Sequence, residues 1–476
     1  MLQLFVSFWR SVLGVNETQA EAVVTGAGAG GTADSGPAGG ANAGKAPIEI
    51  KRKDDSMNYV ILGNGPTGVI AAETLRKADP GASIVMIGDE SEPPYSRMAI
   101  PYFLIGNIEE KGTWLRKTPG HFDAHGIQNV VARAVGVDAT GKTVTLDNGQ
   151  QVAYDKLLIA TGSHPLKLPV PGIDSPNVHT CWTLADARQI AAKAKKGARV
   201  LQIGAGFIGC IILEALATRG VKLTVVEMGD RMVPRMMTSG AGGMIRRWVE
   251  AKGVSVHCNA RVESITPNGK ELVAKLAGGE EVVADLIIAS AGVKPNVAFL
   301  EGSGVEVATG VLVDERMRTN VGGIYAAGDV AEAVDFSTGK RLVNAIQPNA
   351  ADQARVAALN MAGKGAVSQG TLAVNVLDTM GLISSSFGQW WGDPDGQTAE
   401  MMDEARGRYL SLQFKGDVLI GATSIGLTDH VGVLRGLIQS RTRLGKWKDY
   451  LMHDPTRIME AYLATAQAQA TEPILA

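Results

Sequence analysis

The chain has 476 residues, and Lys+Arg total 46 against Asp+Glu 48, a formal net charge of −2; that balance supplies no basic face for neutralising phosphates and argues against a nucleic-acid binder. With 45% apolar residues it can build large cores, and at about 150 residues per domain the length suggests roughly three domains. No apolar run approaches the roughly 18 residues of a membrane-spanning helix, and Cys181, Cys210 and Cys258 are too scattered for a disulfide framework and too few for a four-cysteine iron–sulfur cluster.

Residues 1–14 read MLQLFVSFWRSVLG. At 100° per residue Leu2, Leu4, Phe5, Val6, Phe8, Trp9, Val12 and Leu13 share an arc of about 200°, which predicts an amphipathic helix. A helix this short is marginal alone in water, so its apolar face needs a partner subunit, the chain's own body or a homodimer mate, or a membrane surface. Arg10 is its only basic residue, fewer than membrane-surface helices carry. Residues 15–56 hold a Gly/Ala-rich tract without hydrophobic period and are expected to be a flexible tether, which favours the partner. Since residues 1–14 lack a basic leading region and a cleavage site, a cytoplasmic protein is expected, not an integral membrane protein.

From Met57 onward apolar strands alternate with helical stretches, the pattern of parallel α/β architecture. The informative feature is an internal repeat. In the first copy NYVILG runs into Gly63-x-Gly65-x-x-Gly68, with Pro66 and Thr67 opening a helix, and the copy closes near Asp155. In the second, RVLQIG runs into Gly204-x-Gly206-x-x-Gly209, with Phe207 and Ile208 opening a helix, and the copy closes near Asp285. The two start-to-end spacings are 92 residues (63 to 155) and 81 residues (204 to 285), which reads as one dinucleotide-binding unit used twice.

Each glycine has a reason in that context. The first permits the tight turn, the second lets backbone approach a pyrophosphate, and the third lets helix and strand pack closely. An acidic residue is then expected near the end of the next strand to accept from a ribose: Asp89 or Glu90 in the first copy, Glu227 in the second. A carboxylate there also repels a 2′-phosphate, so if the second copy takes a nicotinamide dinucleotide, Glu227 favours NAD(H) over NADP(H), although Arg231 and Arg235 follow closely.

These loops, together with Ala160-Thr161-Gly162 and Ile324-Tyr325-Ala326-Ala327-Gly328-Asp329, resemble the pyridine-nucleotide–disulfide oxidoreductase superfamily over residues 57–440. The resemblance implies an α/β fold of two Rossmann-like domains, the NAD domain inserted in the FAD domain, plus a C-terminal α+β interface domain. It places FAD on residues 57–170 and 293–365, NAD on residues 171–292, and the interface domain with a helical tail on 366–476. It further implies that Arg97, Ala134, Gly328 and Asp329 contact FAD, that Gly292 lies on the NAD side, and that a helix over 348–361 points its start at the flavin.

One departure shapes the expected chemistry. Relatives with a single redox cysteine carry it in a C-x-x-P-Y segment, and here that segment is Met98-Ala99-Ile100-Pro101-Tyr102. A thioether forms no thiolate and cannot relay electrons by thiol–disulfide exchange. The residues left imply hydride transfer between NAD(H) and FAD, with single electrons passing between FAD and a redox partner, and neither a catalytic side chain nor a metal is expected. The chain is similar to NADH:acceptor flavoprotein subunits of tungsten aldehyde oxidoreductase and phenylglyoxylate dehydrogenase complexes, which implies an iron–sulfur or other redox subunit as partner, docked partly through residues 1–14, with a homodimer also open. The competing readings are a stand-alone NADH oxidase or rubredoxin-type reductase, and a scaffold that binds FAD and NAD without turning over.

Overall fold

The structure, a computed structural model, describes residues 49–50 and 56–471. The helix expected over 1–14, and the tether expected over 15–56 except its residues 49, 50 and 56, lie outside the described residues.

The first unit opens with β1 (Asn58–Leu62), whose five residues are all buried, as a strand covered on both faces must be. The chain turns at Gly63 into α1 (Pro66–Ala78). It then lays down β2 (Ser83–Gly88), β3 (Ile127–Val131) and, after an antiparallel meander over residues 134–153, β4 (Lys156–Ile159). The short helix α2 (Ile100–Ile105) lies between β2 and β3.

The chain next builds a second parallel sheet from β5 (Val178–His179), β6 (Arg199–Ile203), β7 (Lys222–Val226), β8 (Ser255–His257) and β9 (Leu286–Ala289). Helix α3 (Phe207–Thr218) follows β6, and α4 (Ser239–Ala251) follows β7. A second meander over 262–284 precedes β9. Only then does β10 (Ile324–Ala326) return to pair with β4, so the second unit is an insertion in the first. The strand orders are β10-β4-β1-β2-β3 and β8-β7-β6-β9-β5. Helix α5 (Gln347–Met361) packs on α1 over the first sheet, where Ala354, Ala357 and Ala358 are buried. Both meanders turn at Asn-Gly pairs, with Gly149 at φ +82° and Gly269 at φ +62°, a backbone region open to glycine.

The third unit is an antiparallel sheet of β11 (Val374–Thr379), β12 (Leu382–Gly388), β13 (Gln397–Asp403), β14 (Arg408–Lys415) and β15 (Val418–Ile425), in the order β11-β12-β15-β14-β13. Leu377, Leu382, Tyr409 and Ile425 on one face share a core with Leu213, Leu216 and Met237 of the second unit. Phe387, Leu412 and Phe414 pack with α6 (Val431–Ser440) and α7 (Ile458–Thr471). Period-two alternation in the strands makes this double docking possible. Each fully buried side chain of this size contributes roughly 1.5–3 kcal/mol, so the sheet is firmly fixed to the insertion. The expected α/β class, with a C-terminal α+β unit, is the fold observed.

Candidate active site: two crevices at sheet edges

In both parallel sheets the residues singled out by sequence gather at the C-terminal ends of the strands, where ligands of doubly wound folds bind. In the first unit β1 ends at Gly63, β2 at Gly88, β4 at Ala160-Thr161-Gly162 and β10 at Ala327-Gly328-Asp329. Ala134 begins the meander beside the end of β3. In the second, β6 ends at Gly204, β7 at Glu227 and β9 at Ser290-Ala291-Gly292.

The two loops share one construction. A Cβ on Gly63 would collide with the Ala160 carbonyl, and one on Gly68 with the Gly63 carbonyl; Gly204 stands likewise against Ser290, and Gly209 against the Gly204 carbonyl. Gly65 and Gly206 instead face open space. They are the N-caps of α1 and α3, and neither helix start has a side-chain cap, so the first amides of each helix remain available to an anion. The cradle therefore fits a pyrophosphate in both units.

Support around the loops differs. In the second unit the Gln202 amide donates to the Gly204 carbonyl at 2.9 Å, and the Ser290 hydroxyl donates to the Ile203 and Gly204 carbonyls, both at 3.1 Å. Glu227 accepts from the Ala205 amide and the Gly229 amide, each at 2.7 Å. Arg231 is engaged by Asp230 at 2.7 Å and by the Pro234 and Met237 carbonyls, which leaves it poorly placed to grip a 2′-phosphate. Arg235 is exposed and reaches toward Gly292.

In the first unit Gly328, at φ +81°, backs onto Thr67, and its amide donates to the Gln353 side chain of α5 at 2.7 Å. Thr161 and Asn296 exchange two hydrogen bonds, at 2.9 and 2.8 Å. The Ser163 hydroxyl donates to Asp329 at 3.3 Å, and burial raises the Asp329 carboxyl above the usual carboxylate range. Arg97 donates to Glu90 at 2.7 Å and to the Trp182 carbonyl at 2.8 Å, with its guanidinium 5.2 Å from the Trp182 ring centre. The Tyr95 hydroxyl donates to Glu90 at 2.6 Å. The Ser96 hydroxyl donates to Gln347 at the start of α5, at 2.8 Å, so the segment around Met98 is tied to both units.

The two expected ribose acceptors of the first unit therefore have other partners. Glu90 is held by Arg97 and Tyr95, and Asp89 pairs with Arg133 at 3.0 Å. Sequence reading missed Gln202 and Ser290, which hold the second loop, and Trp182, which meets Arg97 and the Ser163 carbonyl; these contacts follow no fixed spacing.

Cys210 lies beneath the second loop, where its thiol donates to the Ala205 carbonyl at 3.6 Å, and Cys258 is half-buried. Cys181 and Cys210 are buried, and burial pushes Cys181 up to about 12 and raises Cys210 as well, so both remain protonated. Met98 is half-buried. Glu214, on α3, faces the third unit rather than the second crevice, beside Asp378 and the Met380 amide. Among the described residues no group of three or more His, Cys, Asp or Glu side chains could hold a metal, and no helix is long and apolar enough to cross a membrane.

Comparison with known proteins agrees with this geometry. Residues 57–357 match the family described as pyridine nucleotide-disulphide oxidoreductase. The chain is similar to the NADH-dependent phenylglyoxylate dehydrogenase subunit epsilon of Aromatoleum evansii, 30% identical over 86% of this chain and 98% of that protein. It is also similar to a rubredoxin-NAD(+) reductase of Pseudomonas putida, 32% identical over 64% of this chain and 80% of that protein. The crystal structure of the covalent putidaredoxin reductase–putidaredoxin complex shares the fold with TM-score 0.80 at 23% identity, covering 87% of this chain and 99% of that one. The chain belongs to the pyridine nucleotide-disulphide oxidoreductase family and is an FAD-containing, NAD(H)-dependent oxidoreductase.

Proposed function

We propose that the chain is the flavoprotein subunit of a larger redox complex, carrying reducing equivalents between NAD(H) and an iron–sulfur or other redox subunit. The observation that carries this reading is the end-to-end similarity to a dehydrogenase subunit, which spans 98% of that relative. Met98 in place of a thiol supports it, because a route through a mixed disulfide is absent at that position.

In this reading the first crevice holds FAD and the second NAD(H). Gly63, Gly65, Pro66, Thr67 and Gly68 form the first pyrophosphate cradle, with Asp89, Arg97, Ala134, Ala160, Thr161, Gly162, Gly328 and Asp329 along the rest of that sheet edge. Glu90 acts through Arg97. Gly204, Gly206, Phe207, Ile208, Gly209, Glu227 and Gly292 serve NAD(H). FAD supplies the capacity to exchange a hydride with nicotinamide and to exchange electrons singly with another centre.

The protein's part is positional and electrostatic. Ser96 and Gln347 fix the Met98 segment against α5, whose N-terminus has no side-chain cap and presents its positive dipole end. Trp182 donates its indole N–H to the Ser163 carbonyl at 3.0 Å, and so links the insertion to the segment that holds Asp329. Residues 57–170 with 293–365 would form the FAD domain, 171–292 the NAD domain and 366–476 the interface domain.

The test is stopped-flow reduction with co-purification. NADH should bleach the flavin rapidly, O2 should reoxidise it slowly, and the protein should co-elute from its native source with a redox-active subunit. Fast reoxidation by O2 would favour an oxidase, and failure to bleach would favour a nucleotide-binding scaffold. Similarity to rubredoxin-NAD(+) reductase supports a second reading, a stand-alone reductase of a small electron carrier; isolation without companion subunits would favour it.

A further inference from the structure

The two crevices can be superposed through their own registers, and they differ where the second strand of each ends. Leu62 pairs with Ile87 across β1 and β2, and Ile203 pairs with Val226 across β6 and β7. The amides of Gly63 and Gly204 donate to the carbonyls of Ile87 and Val226, at 2.6 and 2.8 Å. Gly88 therefore occupies in the first unit the place that Glu227 holds in the second, and Asp89 lies one residue beyond it.

That place is filled by another residue. Asn64 is the counterpart of Ala205, the second residue of the loop, and a Cβ built on Gly88 would collide with the Asn64 carboxamide. The carboxamide thus lies over Gly88, where a carboxylate side chain from β2 would otherwise stand. Its Nδ2 is buried and has no hydrogen-bond partner among the described residues. A buried polar group in that condition is costly unless something meets it, and it stands beside the pyrophosphate cradle at the expected place of a ribose.

We propose that the Asn64 carboxamide replaces the ribose carboxylate in the first unit and recognises the adenosine ribose hydroxyls of FAD. The inference rests on the first crevice being the FAD site. A carboxamide can donate to one hydroxyl and accept from another, so it serves a vicinal diol as well as a carboxylate does, without adding charge beside the Asp89–Arg133 pair. The identity of Gly88 follows, since any side chain there would displace Asn64.

The experiment is titration of deflavinated protein with FAD and with FMN, which lacks the adenosine ribose, followed by flavin fluorescence. Asn64→Ala should weaken FAD about three- to tenfold, the scale of one neutral hydrogen bond, and leave FMN unchanged. Asn64→Leu fills the same space without hydrogen bonding and should behave alike if the alanine variant does not fold. Gly88→Glu alone should weaken FAD through the collision, whereas Asn64→Ala/Gly88→Glu reproduces the arrangement of the second unit and should recover binding to within about twofold. Unchanged FAD affinity in either folded Asn64 variant overturns the proposal, as does equal weakening of FAD and FMN. Gly65→Val separates the two levels: if it still binds FAD fully, the assignment of the crevice itself is wrong; if it loses FAD while the Asn64 variants do not, only the role of Asn64 falls.

Discussion

In the proposed assignment, Glu227 serves structure and selectivity together. Its two oxygens accept from Ala205 in the loop and from Gly229 beyond β7, each at 2.7 Å. The carboxylate is thus held rigidly and keeps further lone pairs toward the crevice. A 2′-phosphate would meet this fixed negative charge, while Arg231 is already occupied by Asp230. Glu227→Ala should lower kcat/KM for NADH by an amount typical of a charged hydrogen bond, about 1.5–3 kcal/mol. It should cost NADPH less, so the NADH/NADPH ratio of kcat/KM narrows. An unchanged ratio in steady-state kinetics would remove Glu227 from the nucleotide site.

The residues of this site differ in how visible they are in sequence. Gly63, Gly68, Gly204 and Gly209 are required by close backbone approaches, and a backbone requirement at fixed spacing leaves a readable trace. Gln202 and Ser290 act through side chain-to-backbone hydrogen bonds, and the role proposed for Asn64 is one of side-chain geometry too; nothing in their spacing announces it. Asp89 and Glu90 are picked out in sequence by distance along the chain alone; in register the counterpart of Glu227 is Gly88, because β2 continues through Gly88 before the chain turns away.

At the scale of elements, α3 joins two tasks. Its first turn faces the second crevice, and its outer face packs on α2 and β11. Half-buried on that outer face, Glu214 is raised to about 7, first by burial and then by Asp378, and Tyr102 of α2 is raised by burial, Glu214 and Asp378. The folded protein binds the Glu214 proton more tightly than the unfolded chain does. Stability at this junction is therefore greatest below the ordinary glutamate range and declines as pH rises from about 4.5 to about 7. Glu214→Gln removes the titration and keeps the shape. It should raise Tm at pH 8 relative to wild type and leave it nearly unchanged at pH 4.5, as differential scanning calorimetry would record; an equal effect at both values would exclude Glu214 as the source.

Strand and helix order was readable at this scale because each unit carries its own period and its own turn signals. The mutual placement of the units was less so. Contacts such as Arg97 with Trp182 or Trp248 with the Met380 carbonyl, at 3.2 Å, join residues 85 and 132 positions apart, which local patterning does not report.

At the scale of the whole molecule, both crevices and four hydrophobic cores are built from described residues, and the chain reaches the first of these cores by Ile50. Residues 1–45 therefore stand upstream of every described element to which an FAD or NAD(H) contact is assigned above. If they serve as an anchor for a partner subunit, the apolar side chains of residues 1–14 supply the driving force: five large ones contribute on the order of 10 kcal/mol gross at roughly 1.5–3 kcal/mol each. Ordering the anchor as it binds costs about 2–5 kcal/mol or more. The remainder is sufficient to hold a complex together, and no effect on hydride transfer within this chain is expected. Deleting residues 1–45 should leave FAD content and NADH-to-dye activity within about twofold of wild type, while co-elution with the redox partner, and electron transfer to it, fall at least tenfold. Normal co-elution and coupling of the shortened chain would show that residues 1–14 are not the anchor, and loss of FAD or of solubility would assign them to this chain's own fold.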